Sequence, residues 1–173
     1  MFETYGYTVK QLALPQPVDD QAGDEYARAT VPTHFVAGAL GGTVHGIIGT
    51  IWEIVVQERT FQTMPKMTFH HSLAHASLFG SYEVWKRLVL GTSGLDIGSE
   101  LHQGTTYLGS VSIAGGLAGQ VQHVVSHYSE QWLRLEEGDS IALRRGAPAM
   151  RQVWLAFPPS AVAFVAFEYG RRL

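Results

Sequence analysis

Between Val31 and Trp52 the chain carries no Asp, Glu, Lys or Arg, and between Leu101 and Ser129 it again carries none. Few folds accept such runs. Each is long enough to cross a hydrocarbon layer ~30 Å thick as a helix rising ~1.5 Å per residue. Two shorter charge-free runs follow them, Met67 to Tyr82 and Gln152 to Phe167. These also reach across if Lys86 and Arg87, or Arg171 and Arg172, extend their stems to the interface. The order long, short, long, short predicts an all-α transmembrane four-helix bundle. The soluble alternative is a buried four-helix domain. Charged residues at 16% and 19 glycines favour the membrane. The mean hydropathy of +0.04 is low for such a protein, because polar ends and loops dilute the apolar segments.

Several function classes fall away. A formal net charge of -3 favours neither nucleic acid nor an anionic lipid surface as a partner. Without Cys there are no disulfides, thiolate metal sites or Cys nucleophiles. No nucleophile motif, phosphate loop or nucleic-acid module is visible, so no enzymatic activity is expected. Phe2 to Lys10, followed by Pro15, Pro17 and the acidic run Asp19, Asp20, Asp24 and Glu25, reads neither as a signal peptide nor as an Arg-rich transit peptide. Any import signal is expected to be internal.

The long runs are glycine-patterned. Gly38, Gly42 and Gly46 lie four apart, and so do Gly115 and Gly119. At that spacing they share a helix face. In lipid, where association gains little from hydrophobicity, small residues let backbones approach. Tight helix packing accounts for them without any chemistry.

The chain also repeats itself. Ala37-Gly38-Ala39-Leu40-Gly41-Gly42 aligns with Ala114-Gly115-Gly116-Leu117-Ala118-Gly119, and in that register Glu53 falls on Glu130. Further on, Ala76 to Glu83 aligns with Ala161 to Glu168, after a longer connection in the second half. Each half is therefore a long Gly-rich segment, a loop, and a shorter segment ending aromatic-Glu-x-x-basic. The endings are Tyr82-Glu83 to Lys86, and Phe167-Glu168 to Arg171.

In these features the chain resembles the mitochondrial carrier family. Its members have three repeats, each an odd helix with an Ala-Gly-rich start, a matrix loop, and an even helix ending aromatic-acid-x-x-base. Glu137-Gly138 and Arg145-Gly146 are similar to the family's matrix-loop wording. The resemblance implies an N-terminal arm (1–30), a first carrier-type hairpin (31–90), a connector (91–106) and a second hairpin (107–173). It implies a remnant of the gate on the intermembrane-space side at Tyr82, Glu83, Lys86, Phe167, Glu168 and Arg171. It also implies a remnant of the matrix gate at Glu53 and Glu130.

The departures are specific. Family odd helices end in Pro-x-acid-x-x-base. Here the Pro positions hold Ile51 and Tyr128, the acids are Glu53 and Glu130, and the bases are replaced by Val56 and Leu133. Without Pro each long helix can run straight. Without a base each acid loses its gate partner and should sit at the membrane edge or meet a neighbouring subunit. The loop from Glu58 to Lys66 is too short for a matrix helix, and a third repeat is missing.

Histidine is the remaining candidate chemistry. His71 and His75 are four apart, as are His123 and His127, so each pair could share a face and ligate zinc or haem iron. No carboxylate at ligand spacing joins either pair. Hydrogen bonding to partner helices accounts for them, and neither metal nor cofactor is expected. A bound phospholipid such as cardiolipin is compatible with the topology. These features imply a carrier-like accessory subunit that has lost transport, in a complex of the mitochondrial inner membrane such as a respiratory-chain complex or the ATP synthase. Its partners would be the other subunits and membrane lipids. The exposed Gly faces, and Trp52, Trp85, Trp132 and Trp154 near the span ends, suit such docking. The alternatives are a half-size solute carrier working as a homo-oligomer, or a four-span Gly-rich subunit of the inner-membrane protein translocase (Tim) family.

Overall fold

The computed structural model describes residues 2–12, 29–57, 64–92, 105–136 and 146–170, and these form helices without any strand. The helices are α1 (Phe2–Leu12), α2 (Val31–Gln57), α3 (Met64–Thr92), α4 (Thr105–Glu136), α5 (Met150–Leu155) and α6 (Phe157–Gly170). The three long ones extend past the charge-free runs. At 27, 29 and 32 residues they measure roughly 40 to 48 Å at 1.5 Å per residue. With Pro missing from their distal ends, α2 continues unbroken through Ile51 and α4 through Tyr128.

The last span is interrupted, which the charge-free run alone did not foretell. Ala156 is a turn residue between α5 and α6. Pro158 and Pro159 follow directly. Neither has an N–H to return to the preceding turn, so one helix must end and another begin. In the first turn of α6 those N–H groups would be unpaired anyway, and the prolines sit there without loss. The Ala156 N–H instead donates to the carbonyls of Gln152 (3.1 Å) and Val153 (3.3 Å).

Successive helices are neighbours: α2 packs on α3, α3 on α4, and α4 on α6. Of the four expected spans, two, Val31–Val56 and Met150–Gly170, are long and apolar enough to cross a membrane among the described residues. Only 24% and 17% of these segments is buried within the chain. The polarity of α2 is inverted relative to a soluble domain. Along α2 the residues His34, Gly38, Gly42, Gly46 and Thr50 are buried, while Val36, Leu40, Val44, Ile48 and Trp52 are exposed. In water such a stripe of exposed aliphatic side chains is an aggregation liability.

Both hairpins close on glycine. A methyl group added at Gly38 would meet the His75 carbonyl at 2.6 Å, and one at Gly42 would fall on the His71 carbonyl and 2.8 Å from the Ser72 Cα. In the second hairpin, Gly115 lies against Phe164, while a methyl group added at Gly119 would meet Ser160 and, at 2.8 Å, the Ala156 carbonyl. In the two alignments Gly42 corresponds to Gly119, His71 to Ala156, and His75 to Ser160. Equivalent residues thus make equivalent contacts in the two halves.

The N-terminal segment, expected only as an arm, contains a docked helix. Phe2, Tyr5, Gly6 and Val9 line one face of α1, and the last three are buried. Glu3 in its first turn and Lys10 in its last complement the helix dipole. The helix packs along α2 and sends aromatic rings across to α3 and α6. Tyr5 stacks on Phe79 at 3.8 Å between centroids, and Phe2 stacks on Phe167 at 4.9 Å.

The glycine crossings make a graded expectation. Gly42→Ala should lower stability in detergent micelles by ~1–3 kcal/mol through overpacking against the α3 backbone. At Gly49 an added methyl group meets nothing within 4 Å. Gly49→Ala should therefore be neutral or stabilising by up to ~1 kcal/mol through helix propensity. Denaturant or SDS unfolding followed by circular dichroism distinguishes the two, and equal effects would refute the crossing geometry.

Candidate functional site

One end of the bundle gathers the starts of α2 and α4 and the ends of α3 and α6. Antiparallel connection brings them together, so charged residues far apart in sequence become neighbours there. Glu168, on the last turns of α6, is 2% exposed. Its Oε1 accepts from the Tyr82 hydroxyl and from the Lys86 ammonium, each at 2.7 Å. Its Oε2 accepts from the Tyr107 hydroxyl at 3.2 Å. Lys86 is itself 6% exposed, with its Nζ 5.6 Å from the Tyr82 ring centroid. A carboxylate removed from water keeps its charge only when its lone pairs are occupied and a cation is near. Here both conditions are met by side chains from α3 and α4.

A second carboxylate, Glu83, is 3% exposed one turn away. Its Oε1 accepts from Arg87 Nε at 2.9 Å, and its Oε2 lies 3.8 Å from His34 Nε2. The Arg87 guanidinium also donates to the Ala29 carbonyl at 2.5 Å, and Tyr5 hydrogen-bonds His34 Nδ1. Two carboxylates, one ammonium and one guanidinium leave the cluster formally neutral. That neutrality is what makes its burial affordable in a medium that solvates ions poorly.

The six residues expected to form a gate remnant are placed unequally. Tyr82, Lys86 and Glu168 meet directly, and Glu83 stands beside them. Lys86 bonds across the hairpins to Glu168 rather than to Glu83 three residues earlier. Phe167 packs against the ring of Phe2 instead of entering the polar cluster. Arg171 lies outside the described residues. Of the matrix-side pair, Glu130 is exposed in the last two turns of α4, and the Glu53 side chain lies outside the described residues. So do Glu137, Gly138, Arg144 and Arg145 of the second loop.

Tyr5, His34, Arg87 and Tyr107 belong to the cluster but were not singled out by motif. His34 and Tyr107 occupy the first turns of the long helices, at the end that antiparallel pairing brings to Glu83 and Glu168. That placement was the available signal. Halfway along the bundle, His71 and His75 on α3 are joined by His45 on α2. Their ring nitrogens offer ligand atoms all within 4.8 Å of one another. His123 and His127 form no such group among the described residues. The His127 Nε2 lies 3.1 Å from the Gly146 carbonyl and 3.0 Å from Gln131.

Comparison with protein-family models, curated proteins and solved structures finds no match to this chain.

The buried pair sets a measurable coupling. Lys86→Met should cost ~3–5 kcal/mol, since it strands Glu168 among apolar neighbours. Combining it with Glu168→Gln should recover a large part, because the amide oxygen still accepts from Tyr82 and Tyr107 while the unpaired charge is gone. A double-mutant cycle on unfolding in micelles reads this directly. A coupling below ~0.5 kcal/mol would mean that the two residues act independently.

Proposed function

We propose that the chain is a multi-pass membrane protein of two carrier-like hairpins, which serves as an accessory structural subunit of a mitochondrial inner-membrane complex and does not transport solute. The observation that carries the membrane reading is the inverted distribution of polarity. His34, Thr50, His75, Glu83, Lys86, Ser110, Ser129 and Glu168 are buried, while Val36, Leu40, Val44, Ile48, Val55, Leu88 and Val162 are exposed. A bilayer favours this arrangement, because exposed aliphatic groups meet lipid and polar groups must find partners inside the protein. Trp52, Trp132 and Trp154 are exposed at the end opposite the charge network, where an aromatic belt would meet the headgroups.

The structural role is supported by how the space between the hairpins is filled. A transporter needs a central site reached alternately from two sides through gates that exchange stability. Here Tyr82 stacks on Phe164 at 3.8 Å, joining the second helices of the two hairpins. The aromatic face of α1 is laid over that junction, with Phe2 5.4 Å from Phe79 and 5.7 Å from Phe164. Opening the site would require separating the Lys86–Glu168 pair and undocking α1. Val56 and Leu133 stand where matrix-side bases would be needed for the opposing gate. In the carrier-like orientation the charge network faces the intermembrane space and the Trp-bearing end faces the matrix. A respiratory-chain complex or the ATP synthase is the kind of host that such a subunit suits, with bound phospholipid filling its exposed faces.

Two measurements test this reading. In mild detergent the native chain should migrate in a particle far larger than its 19.0 kDa and should co-purify with other membrane subunits. Reconstituted alone in liposomes loaded with nucleotides, carboxylates, amino acids or phosphate, it should show no saturable exchange. Exchange abolished by Lys86→Ala, from a particle containing only this chain, would replace the structural reading with an oligomeric half-size carrier.

A further inference from the structure

We propose that His45, His71 and His75 form a binding site for one transition-metal ion of the zinc class, held by three neutral imidazoles with a fourth position open. The first argument is geometric. His71 and His75 lie one turn apart on α3, and His45 reaches them from α2, with ring centroids 5.2 and 5.1 Å away. The three ligand atoms lie within 4.8 Å of one another. A tetrahedral ion with bonds of about 2.0–2.1 Å holds its nitrogens about 3.4 Å apart. The His71 and His75 rings are the widest pair, 6.2 Å between centroids, so closing on an ion takes about an ångström of rotamer adjustment there as well as at the exposed His45.

The second argument is the state of the imidazoles. His75 Nδ1 lies 2.8 Å from the His71 backbone carbonyl. A carbonyl only accepts, so Nδ1 carries the proton and Nε2 presents its lone pair. Metal-binding histidines are commonly prepared in this way, with the second nitrogen donating to a fixed acceptor. The backbone contributes as well. Methyl groups at Gly42 and Gly46 would meet the His75 Cβ at 2.9 Å and the His71 Cβ at 3.1 Å. Glycine at both positions is what brings α2 close enough for His45 to join the pair.

The third argument comes from the repeat. Positions 45, 71 and 75 correspond to Gln122, Ala156 and Ser160 in the second hairpin. That hairpin closes on its own glycines, with Gly119 against Ala156 and Ser160, so the crossing does not require histidine. Three imidazoles collected at one level of one hairpin, and not the other, are surplus to packing. Imidazole nitrogens without a carboxylate or thiolate suit zinc, copper or nickel rather than calcium or magnesium. The fourth position falls on the exposed side of the site, beside His45.

The test uses the full chain in detergent micelles, stripped with chelator and titrated with zinc against a chromogenic competitor. One zinc per chain is expected. His45→Gln changes an exposed residue and should weaken binding by at least about 100-fold, the upper end of what losing only a supporting hydrogen bond costs. His71→Gln should do the same, and His127→Gln should bind as the unmodified chain does. Cobalt(II) should give a tetrahedral visible spectrum that His45→Gln abolishes. Circular dichroism of each sample reports folding, and His45→Gln decides the matter if His71→Gln fails to fold. Zinc uptake below stoichiometry by the folded chain, or equal affinity in His45→Gln, would mean an adventitious ion only and would overturn the proposal.

Discussion

Everything else in the bundle depends on how closely α2 approaches α3. Gly38, Gly42 and Gly46 hold the two backbones so near that an added methyl group at any of them meets α3 within 3.0 Å. That approach does three things together. It gains dispersion between closely packed surfaces. It sets the register that carries His34 to Glu83 at one end and His45 to His71 and His75 in the middle. It also turns the aliphatic residues of α2 outward. The Thr43 hydroxyl, 2.5 Å from that of Ser72, adds a polar contact across the same seam.

Many of the buried polar groups then find an internal partner, Thr68 Oγ1 and His123 Nε2 being exceptions among the described residues. Thr43, Thr50 and Ser110 each return their hydroxyl to the carbonyl four residues back. Ser129 lies 2.7 Å from His70 Nδ1, linking α3 to α4. The charged groups are collected at one end, where a carboxylate from each hairpin is matched by a cation from α3. Lys86 therefore serves the opposite hairpin, and Arg87 serves its own. The ion pair does little for net stability relative to an apolar pair of the same shape. What it contributes is a penalty on any arrangement that leaves Glu168 unpaired, and so it specifies how the two hairpins dock.

Much of this was legible because the absence of charge and the recurrence of glycine are robust signals. The charge-free runs marked the helices, though the helices extend beyond them to take in charged residues such as Lys66 and Glu136 at their ends. The alignment of Ala37–Gly42 with Ala114–Gly119 anticipated equivalent crossings, and the contacts of Gly42 and Gly119 follow it. Three features were not anticipated. The docking of α1 rests on only Phe2, Tyr5, Gly6 and Val9, and its partners lie on three different helices. The break at Ala156 follows from Pro158 and Pro159, whose effect is to start a helix as much as to end one. The joining of His45 to His71 and His75 depends on the axial register between α2 and α3. No intrahelical spacing encodes that register, so a search for histidines four apart finds two of the three.

The repeat separates what the fold requires from what it merely accommodates. Where the halves agree, at Gly42 and Gly119 or at Glu83 and Glu168, the shared residues build the hairpins and their common end. Where they differ, the first hairpin carries polar side chains at positions that the second fills without charge or imidazole. His34 stands where the second half has the fully buried Val111, and His45, His71 and His75 stand where it has Gln122, Ala156 and Ser160. Burying an imidazole in place of an aliphatic or small side chain costs stability unless the ring finds a partner. His34 finds Tyr5 on α1 and the carboxylate of Glu83, which ties the N-terminal helix to the charge network. Of the other three only His75 is buried, with its Nδ1 donating to the His71 carbonyl at 2.8 Å, while His71 is half-buried and His45 exposed. The two hairpins are thus alike in closing on glycine and unlike in their side-chain chemistry, with the three clustered imidazoles in the first.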